Sequence, residues 1–245
     1  MKKFFLKIIF ILIFMSGISY SQENFLGKIF KDIEITPSFN YITSASIQLN
    51  PYSSNPVESN TVIDLNGGTG FGITLKKGIY KDYLYLGLSS EYVKIIDDNQ
   101  VQYLFTYDDF KLAKATETIW MVPLEISLYF NVPSFTEDLN IFLGGGAGIY
   151  FGDRIRKFYN LETKTNSSRQ ILNIHTMFGL QYCLSDNFFA AFEVKFRQGE
   201  FEVNSSFPTG AVYINNEYYF FEQNLNSKIF FDGLKLSFGI SYKFN

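Results

Sequence analysis

Side chains able to do nucleophilic or acid–base chemistry are scarce in this sequence. It has one histidine, His175, and one cysteine, Cys183. Lipid hydrolysis or acyl transfer needs a nucleophile beside a base, and no Ser–His arrangement is visible from local spacing. His175 sits between Asn173 and Met177 in an alternating stretch, so it is read as an interior polar residue and not as a catalytic one. A lone cysteine excludes an internal disulfide framework and a cysteine zinc site, and Cys183 is read as a small buried filler. Two glycine runs, Gly67-Gly68-Thr69-Gly70-Phe71-Gly72 and Gly144-Gly145-Gly146-Ala147-Gly148, look like phosphate cradles. Neither is followed by a helix start, which a nucleotide site requires. No cofactor, no metal and no enzymatic activity are expected.

What remains is a set of charged residues spaced along alternating segments, and the elements carrying them set their meaning. From Leu234 the chain reads LKLSFGISYKFN, with apolar side chains at Leu234, Leu236, Phe238, Ile240, Tyr242 and Phe244 and polar or small ones between them. Period two marks a β-strand with two unlike faces. The same pattern occurs seven more times, around Ile33–Tyr41, Ile63–Leu75, Leu84–Tyr92, Trp120–Phe130, Leu139–Phe151, Leu172–Tyr182 and Phe188–Phe196. The 28 phenylalanines and 17 tyrosines recur in alternating runs and not in helical ones. Three connections are short, at 77–82, 132–138 and 185–187, whereas 43–60, 95–115, 153–168 and 200–228 are long and polar. Alternating short and long connections predict a closed antiparallel meander with short turns at one end and long loops at the other, as in outer-membrane barrels.

A soluble barrel would turn its apolar alternates inward and cover the outside with charge. Here the polar face is rich in glycine (Gly87, Gly144, Gly146, Gly148, Gly179, Gly239), which suits a crowded interior better than a surface facing water. The apolar set is therefore predicted to face lipid, where closure removes unpaired strand edges. The same parity turns Glu34, Asp64, Glu91, Glu125 and Glu193 inward together with Lys76, Lys195, Arg197, Lys235 and Lys243. A lone charge there is costly unless it is paired, so Glu91, Glu125, His175, Glu193, Lys195 and Arg197 are expected to form an interior polar network. Pro37 and Pro123, inside strands, suggest a bulge or a strand end. Trp120 and the Tyr and Phe residues near strand ends suit interfacial girdles.

The first residues supply an address. Lys2 and Lys3, the apolar run Phe4–Met15 and the small residues before Gln22 read as a secretory signal peptide over 1–21, leaving 22–245 as one all-β domain. The Ser19-Tyr20-Ser21 ending, the strand Val122-Pro123-Leu124-Glu125-Ile126, the glycine strand at 144–148 and the ending Gly239-Ile240-Ser241-Tyr242-Lys243-Phe244 resemble the outer-membrane β-barrel family widespread in Bacteroidota, which includes the PorT-like barrels. The resemblance implies residence in the cell outer membrane. It also implies that Phe244 is the terminal aromatic read by the barrel-assembly machinery, with Asn245 after it as a small departure.

Function is expected in the long connections. Arg154, Arg156 and Lys157 cluster just beyond Phe151, where the phosphates of lipopolysaccharide would lie, and are read as a lipid contact. Residues 201–222 contain Phe201, Phe207, Tyr213, Ile214, Tyr218, Tyr219, Phe220 and Phe221; too few alternating residues flank a turn at Asn215-Asn216 to span a bilayer, so the segment reads as a hairpin standing above it that meets an envelope protein partner. The net charge of −3 gives no reason to expect nucleic acid. The expected role is a non-enzymatic, membrane-anchored scaffold or interaction protein. The alternatives are a narrow channel for small or apolar solutes and, third, a lipid-modifying enzyme.

Overall fold

A computed structural model describes residues 32–81, 83–133, 136 and 138–244. The expected signal peptide lies outside the described residues, as does Asn245. No helix among the described residues is long and apolar enough to cross a membrane; the crossing is made by strands.

In chain order the strands are β1 (Ile33–Ile42), β2 (Ala45–Leu49), β3 (Val62–Leu65), β4 (Gly68–Tyr80), β5 (Leu84–Phe105), β6 (Phe110–Val132), β7 (Leu139–Phe158) and β8 (Leu161–Glu162). They continue with β9 (Lys164–Gln170), β10 (Leu172–Ser185), β11 (Phe188–Gln198), β12 (Glu200–Ser206), β13 (Ala211–Ile214), β14 (Glu217–Phe220), β15 (Asn224–Phe230) and β16 (Leu234–Lys243). One helical turn, α1 (Pro56–Ser59), begins at an Asn55 cap that accepts from the Val57 N–H. These pieces build an eight-stranded antiparallel barrel. Its staves are β1 with β2, β3 with β4, β5, β6, β7, β9 with β10, β11 with β12, and β15 with β16. Each pairs with its chain neighbour, and β1 closes on β16 with Phe39 opposite Phe238. The seam continues to the end of the strand, where the Phe244 N–H donates to the Ile33 carbonyl at 2.8 Å.

The staves are much taller than a bilayer. β5, β6 and β7 are 22, 23 and 20 residues long, whereas a crossing takes about 9–11. The long connections expected from composition are largely strand. Above the membrane, β3, β2, β15, β12 and β9 form a separate five-stranded sheet facing the upper halves of β5, β6 and β7. The lipid-facing band is read directly from the outward residues. Leu86, Leu88, Tyr92, Leu124, Ile126, Leu128, Phe130, Ile174, Phe178, Phe238 and Ile240 are all exposed. Tyr92 stacks on Trp120 at the upper margin, while Phe188, Tyr242 and Phe244 pack together at the lower one.

The lining then changes with height. Within the band the exterior is apolar and the interior polar above its lowest layer. Above it Ile47, Leu65, Ile95, Ile119, Phe201, Val203 and Ile229 are buried inside, while Lys94, Asp98 and Lys114 stand outside. The cause is the change of solvent: once water replaces lipid around the wall, apolar side chains are stabilised by moving inward. Asp64, expected inside by extending the parity of its stave, is an exposed residue of this upper storey, because there Leu65 is the side chain that turns in. Lys243 is half-buried at the lower rim.

Neither proline makes a bulge or an end. The registers Ile35↔Tyr242 and Ser38↔Gly239 flank Pro37, and Ser90↔Leu124 and Val93↔Met121 flank Pro123, without a shift. Each proline removes a ladder donor and leaves a short gap in an otherwise constant register. Register shifts lie elsewhere, at Gly78–Tyr80, Cys183–Ser185 and Asn204–Ser205 and between Asp97 and Gln100 of β5, where the Asp97 carboxylate accepts from the Asn99 N–H and from the Gln100 side-chain amide at 2.9 and 3.1 Å.

Candidate functional site

The bore is filled in layers. At the bottom Tyr85, Tyr129, Phe142 and Met177 form an apolar plug. Room for it comes from glycine: a Cβ on Gly179 would lie 2.1 Å from the Phe142 ring, and one on Gly87 2.4 Å from Tyr129. The Lys76 ammonium caps this layer, 4.7 and 4.4 Å from the centres of the Tyr129 and Phe142 rings, and reaches Glu34 at 3.2 Å.

Above the plug is a layer of paired charges. The Glu125 carboxylate accepts from Lys195 at 2.7 Å, Tyr150 at 2.7 Å and Ser89 at 3.2 Å. Glu91 accepts from Arg197 at 2.5 Å and Asn40 at 2.6 Å, with Lys235 at 3.0 Å. Glu193 lies 3.6 Å from Lys195 and 3.9 Å from Lys235, linking the two groups. The six residues read from the sequence as an interior network, Glu91, Glu125, His175, Glu193, Lys195 and Arg197, come together here. Asn40, Ser89, Tyr150 and Lys235 add further partners, while Arg197 Nε and Nη2 and His175 Nδ1 are buried without a hydrogen-bond partner among the described residues. Opposite charges at hydrogen-bond distance offset much of the cost of excluding water from the bore.

One feature of this layer has the outline of a catalytic site. The Ser127 hydroxyl lies 2.8 Å from His175 Nε2, and His175 Nδ1 lies 3.8 Å from a Glu125 oxygen. Ser127 and His175 are 48 positions apart, so local spacing gave no sign of the pair; the register that places both beside Gly146 creates it. The geometry does not suit nucleophilic catalysis. The Nδ1–carboxylate distance is too long for a hydrogen bond, Lys195 already holds Glu125, and Ser127 is 1% exposed with no opening toward a substrate.

A second apolar layer seals the charges from above. Ile42, Ile47, Val93, Ile95, Ile119, Met121, Tyr150, Phe201, Val203, Ile229 and Phe231 form one buried cluster. Higher still is a compact ionic node. Glu117 accepts from Arg154 Nε and Nη2 at 3.0 and 2.7 Å and also from Arg156 Nη1. Arg154 Nη1 donates to Ser227 at 2.6 Å, and Arg156 donates to Gln102 and to the Val101 carbonyl. Arg154 and Arg156 are 0% and 6% exposed. They therefore cannot meet lipid phosphates as expected from the sequence: their stave continues the inward parity of Tyr150 and Gly152, and Glu117 on the adjacent strand holds both. Lys157, the next residue, points outward and is exposed.

The mouth is closed by the segment read as a hairpin. Phe201 belongs to a stave and is buried, and the hairpin proper is β13–β14, turning at Asn215 and Asn216 with φ of 51° and 66°, as a two-residue hairpin turn requires. Phe207 and Phe221 pack edge-on to Phe158 at ring distances of 5.1 and 4.9 Å, in a cluster that also holds Leu104, Ala113, Ala115 and Leu225. Val212, Ile214 and Tyr219 lean on it. The other face of the hairpin carries Tyr213, Tyr218 and Phe220, all exposed. Phe220 pairs with Phe105 of β5, so the exposed rings continue into Tyr103, Phe105, Phe110 and Leu112.

No family model matches the chain, and no curated protein matches it in sequence. Among solved structures it is similar to the outer membrane protein OprG from Pseudomonas aeruginosa, at 12% identity and a TM-score of 0.56, covering 88% of this chain and 97% of that one. Weaker likenesses include Neisserial surface protein A at 9% identity and TM-score 0.43, covering 86% and 97%, and Ail of Yersinia pestis at 11% and 0.40, covering 87% and 99%. At such identities the likeness is one of fold. The fold is that of a small outer-membrane barrel, and the outer membrane is where a closed barrel with this lipid-facing band sits.

Proposed function

We propose that this barrel is a non-enzymatic membrane anchor for a rigid extracellular storey that binds another envelope protein. One observation carries the reading: the bore is packed from bottom to top, and the exposed aromatic surface lies on the storey above the membrane. The two voids next to the charged layer have volumes of about 30 and 10 Å³, room for isolated waters and not for a solute path. An apolar layer separates the charges from the outside, which opposes a relay of protons or ions through them. A narrow channel, the competing role, would need the Tyr150 and Phe201 layer and the Tyr129 and Phe142 plug to move together.

The test is electrical and cellular. Purified protein in planar bilayers is expected to give no discrete conductance steps; reproducible single-channel steps would overturn the reading. In cells, removing 208–222 should abolish specific cross-links while the barrel still inserts and remains heat-modifiable on gels.

A further inference from the structure

The hairpin that closes the mouth also leaves a strand edge open. β13 is the terminal strand of its sheet, paired with β14 on one side and with no strand on the other among the described residues. The pairs Ile214↔Glu217 and Val212↔Tyr219, together with the bond from the Phe221 N–H to the Gly210 carbonyl at 3.0 Å, fix which backbone groups are used internally. In an antiparallel ladder the intervening residues then direct their groups outward. The Tyr213 N–H and carbonyl face the open edge, while the Ala211 N–H and carbonyl are both engaged by the Thr209 hydroxyl at 3.2 Å.

Beside this edge the outer face of the sheet is aromatic. Tyr213 and Tyr218 pack at 4.8 Å between ring centres, and Tyr103 stacks on Phe105 at 6.4 Å. Around the tip the charge is acidic. Asp108 and Asp109 occupy the β5–β6 turn and Glu217 the hairpin turn, all exposed, and the nearby Lys111 ammonium sits 5.8 Å from the centre of the Tyr219 ring. The Tyr219 hydroxyl donates to Glu217 at 3.0 Å. That bond, with Asp109 adding to the same field, holds the phenol above its usual range.

We propose that β13 accepts an added strand, and that the ligand is an extended peptide segment of a partner protein in which apolar side chains alternate with lysine or arginine. Backbone groups at an open edge supply affinity to any extended chain, and alternate side chains supply selectivity. The apolar alternates would extend the row of Tyr213, Tyr218, Phe220 and Phe105, and the basic ones would lie in the acidic field of Glu217, about two strand spacings away, and of Asp108 and Asp109 beyond it. A second copy of this chain fits poorly, because edge-to-edge pairing would bring two acidic tips together. The inference rests on the scaffold reading and adds the chemistry of its partner.

The experiment uses full-length protein in lipid nanodiscs and a fluorescent ten-residue peptide of alternating Val and Lys, followed by anisotropy. Saturable binding is expected, at least tenfold weaker when alternate peptide nitrogens are methylated on one edge, and at least tenfold weaker when Lys is replaced by Glu. Tyr213→Pro, which removes an outward N–H that the hairpin does not use, should weaken binding at least tenfold with heat-modifiable migration unchanged. A triple Asp108→Lys, Asp109→Lys, Glu217→Lys variant should reverse the preference toward the Glu peptide, and this reads the site even if the proline disturbs the hairpin. Equal binding of the methylated peptide, or no reversal by the triple variant, overturns the proposal. Dimerisation in nanodiscs that Tyr213→Pro abolishes would assign the edge to a second copy and overturn it too. Failure of the peptide while cross-links through 201–222 persist in cells removes the edge and leaves the scaffold reading standing, whereas discrete conductance would remove the scaffold reading itself.

Discussion

Tyr150 joins two layers of the bore that have opposite character. Its hydroxyl donates to the Glu125 carboxylate at 2.7 Å, while its ring belongs to the apolar cluster with Phe201 and Phe231. Gly199 makes room for that ring, since a Cβ there would lie 2.5 Å from it. The charged layer is thus tied by one side chain to the layer that seals it.

Tyr150→Phe keeps the ring and removes the bond. A hydrogen bond to a buried charged group contributes roughly 1.5–3 kcal/mol, and the variant should lose about that much, read by reversible urea unfolding in lipid vesicles. A loss below about 0.5 kcal/mol would mean that Ser89 and Lys195, already bonded to Glu125, hold it without Tyr150.

The Glu117 node makes a sharper prediction. Glu117→Gln leaves two buried guanidinium groups without their counter-charge and should cost about 3–5 kcal/mol, as is typical when one partner of a buried pair is removed. Arg154→Met should destabilise as well, and neither substitution should alter affinity for lipopolysaccharide in vesicles. A drop in lipopolysaccharide binding by folded Arg154→Met would contradict the inward placement of this side chain.

The same node shows where the sequence was legible and where it was not. Within the membrane band the alternation is constant, and parity alone placed Glu91, Glu125, His175, Glu193, Lys195 and Arg197 on one face. Extending that parity along 148, 150, 152, 154 and 156 would have placed Arg154 and Arg156 inside. The polar composition of 153–168 hid this, because a water-facing strand and a loop have similar content. Asp64 failed for the opposite reason: parity was extended across the level at which water replaces lipid, and there the apolar alternate turns in. The one-residue bulge after Asp97 has no signal in composition, and the Ser127–His175 contact depends on cross-strand register, which alternation does not specify.

Ser127 gives a direct check on the proposal that the barrel is not an enzyme. In folded protein a fluorophosphonate probe should not label Ser127, and Ser127→Ala should leave both phospholipid and ester turnover at background. Stoichiometric labelling that is lost in Ser127→Ala and in His175→Ala would show that the bore opens to substrate and that the site is catalytic.

The height of the upper aromatic surface decides whether it meets water or lipid, and the two cases predict different quenching. From Tyr92, at the upper margin of the band, to Tyr103 there are eleven residue steps. At about 3.3 Å per residue along a strand tilted by about 40°, this is a rise of about 28 Å. The outward residues in between include Lys94 and Asp98, and Asp98 pairs with Lys114 across the sheet at 3.4 Å with both side chains exposed; charges so placed would be costly in hydrocarbon. In a Trp120→Phe background, a tryptophan at Leu88 should be strongly quenched by lipids brominated on their acyl chains. Tryptophans at Tyr103 and Phe220 should be quenched by aqueous acrylamide and spared by the lipid. Quenching of the Tyr103 position by brominated acyl chains would mean that the membrane reaches the upper storey. The exposed rings would then be a second lipid-facing band, and the open edge of β13 would have no water-borne peptide to receive.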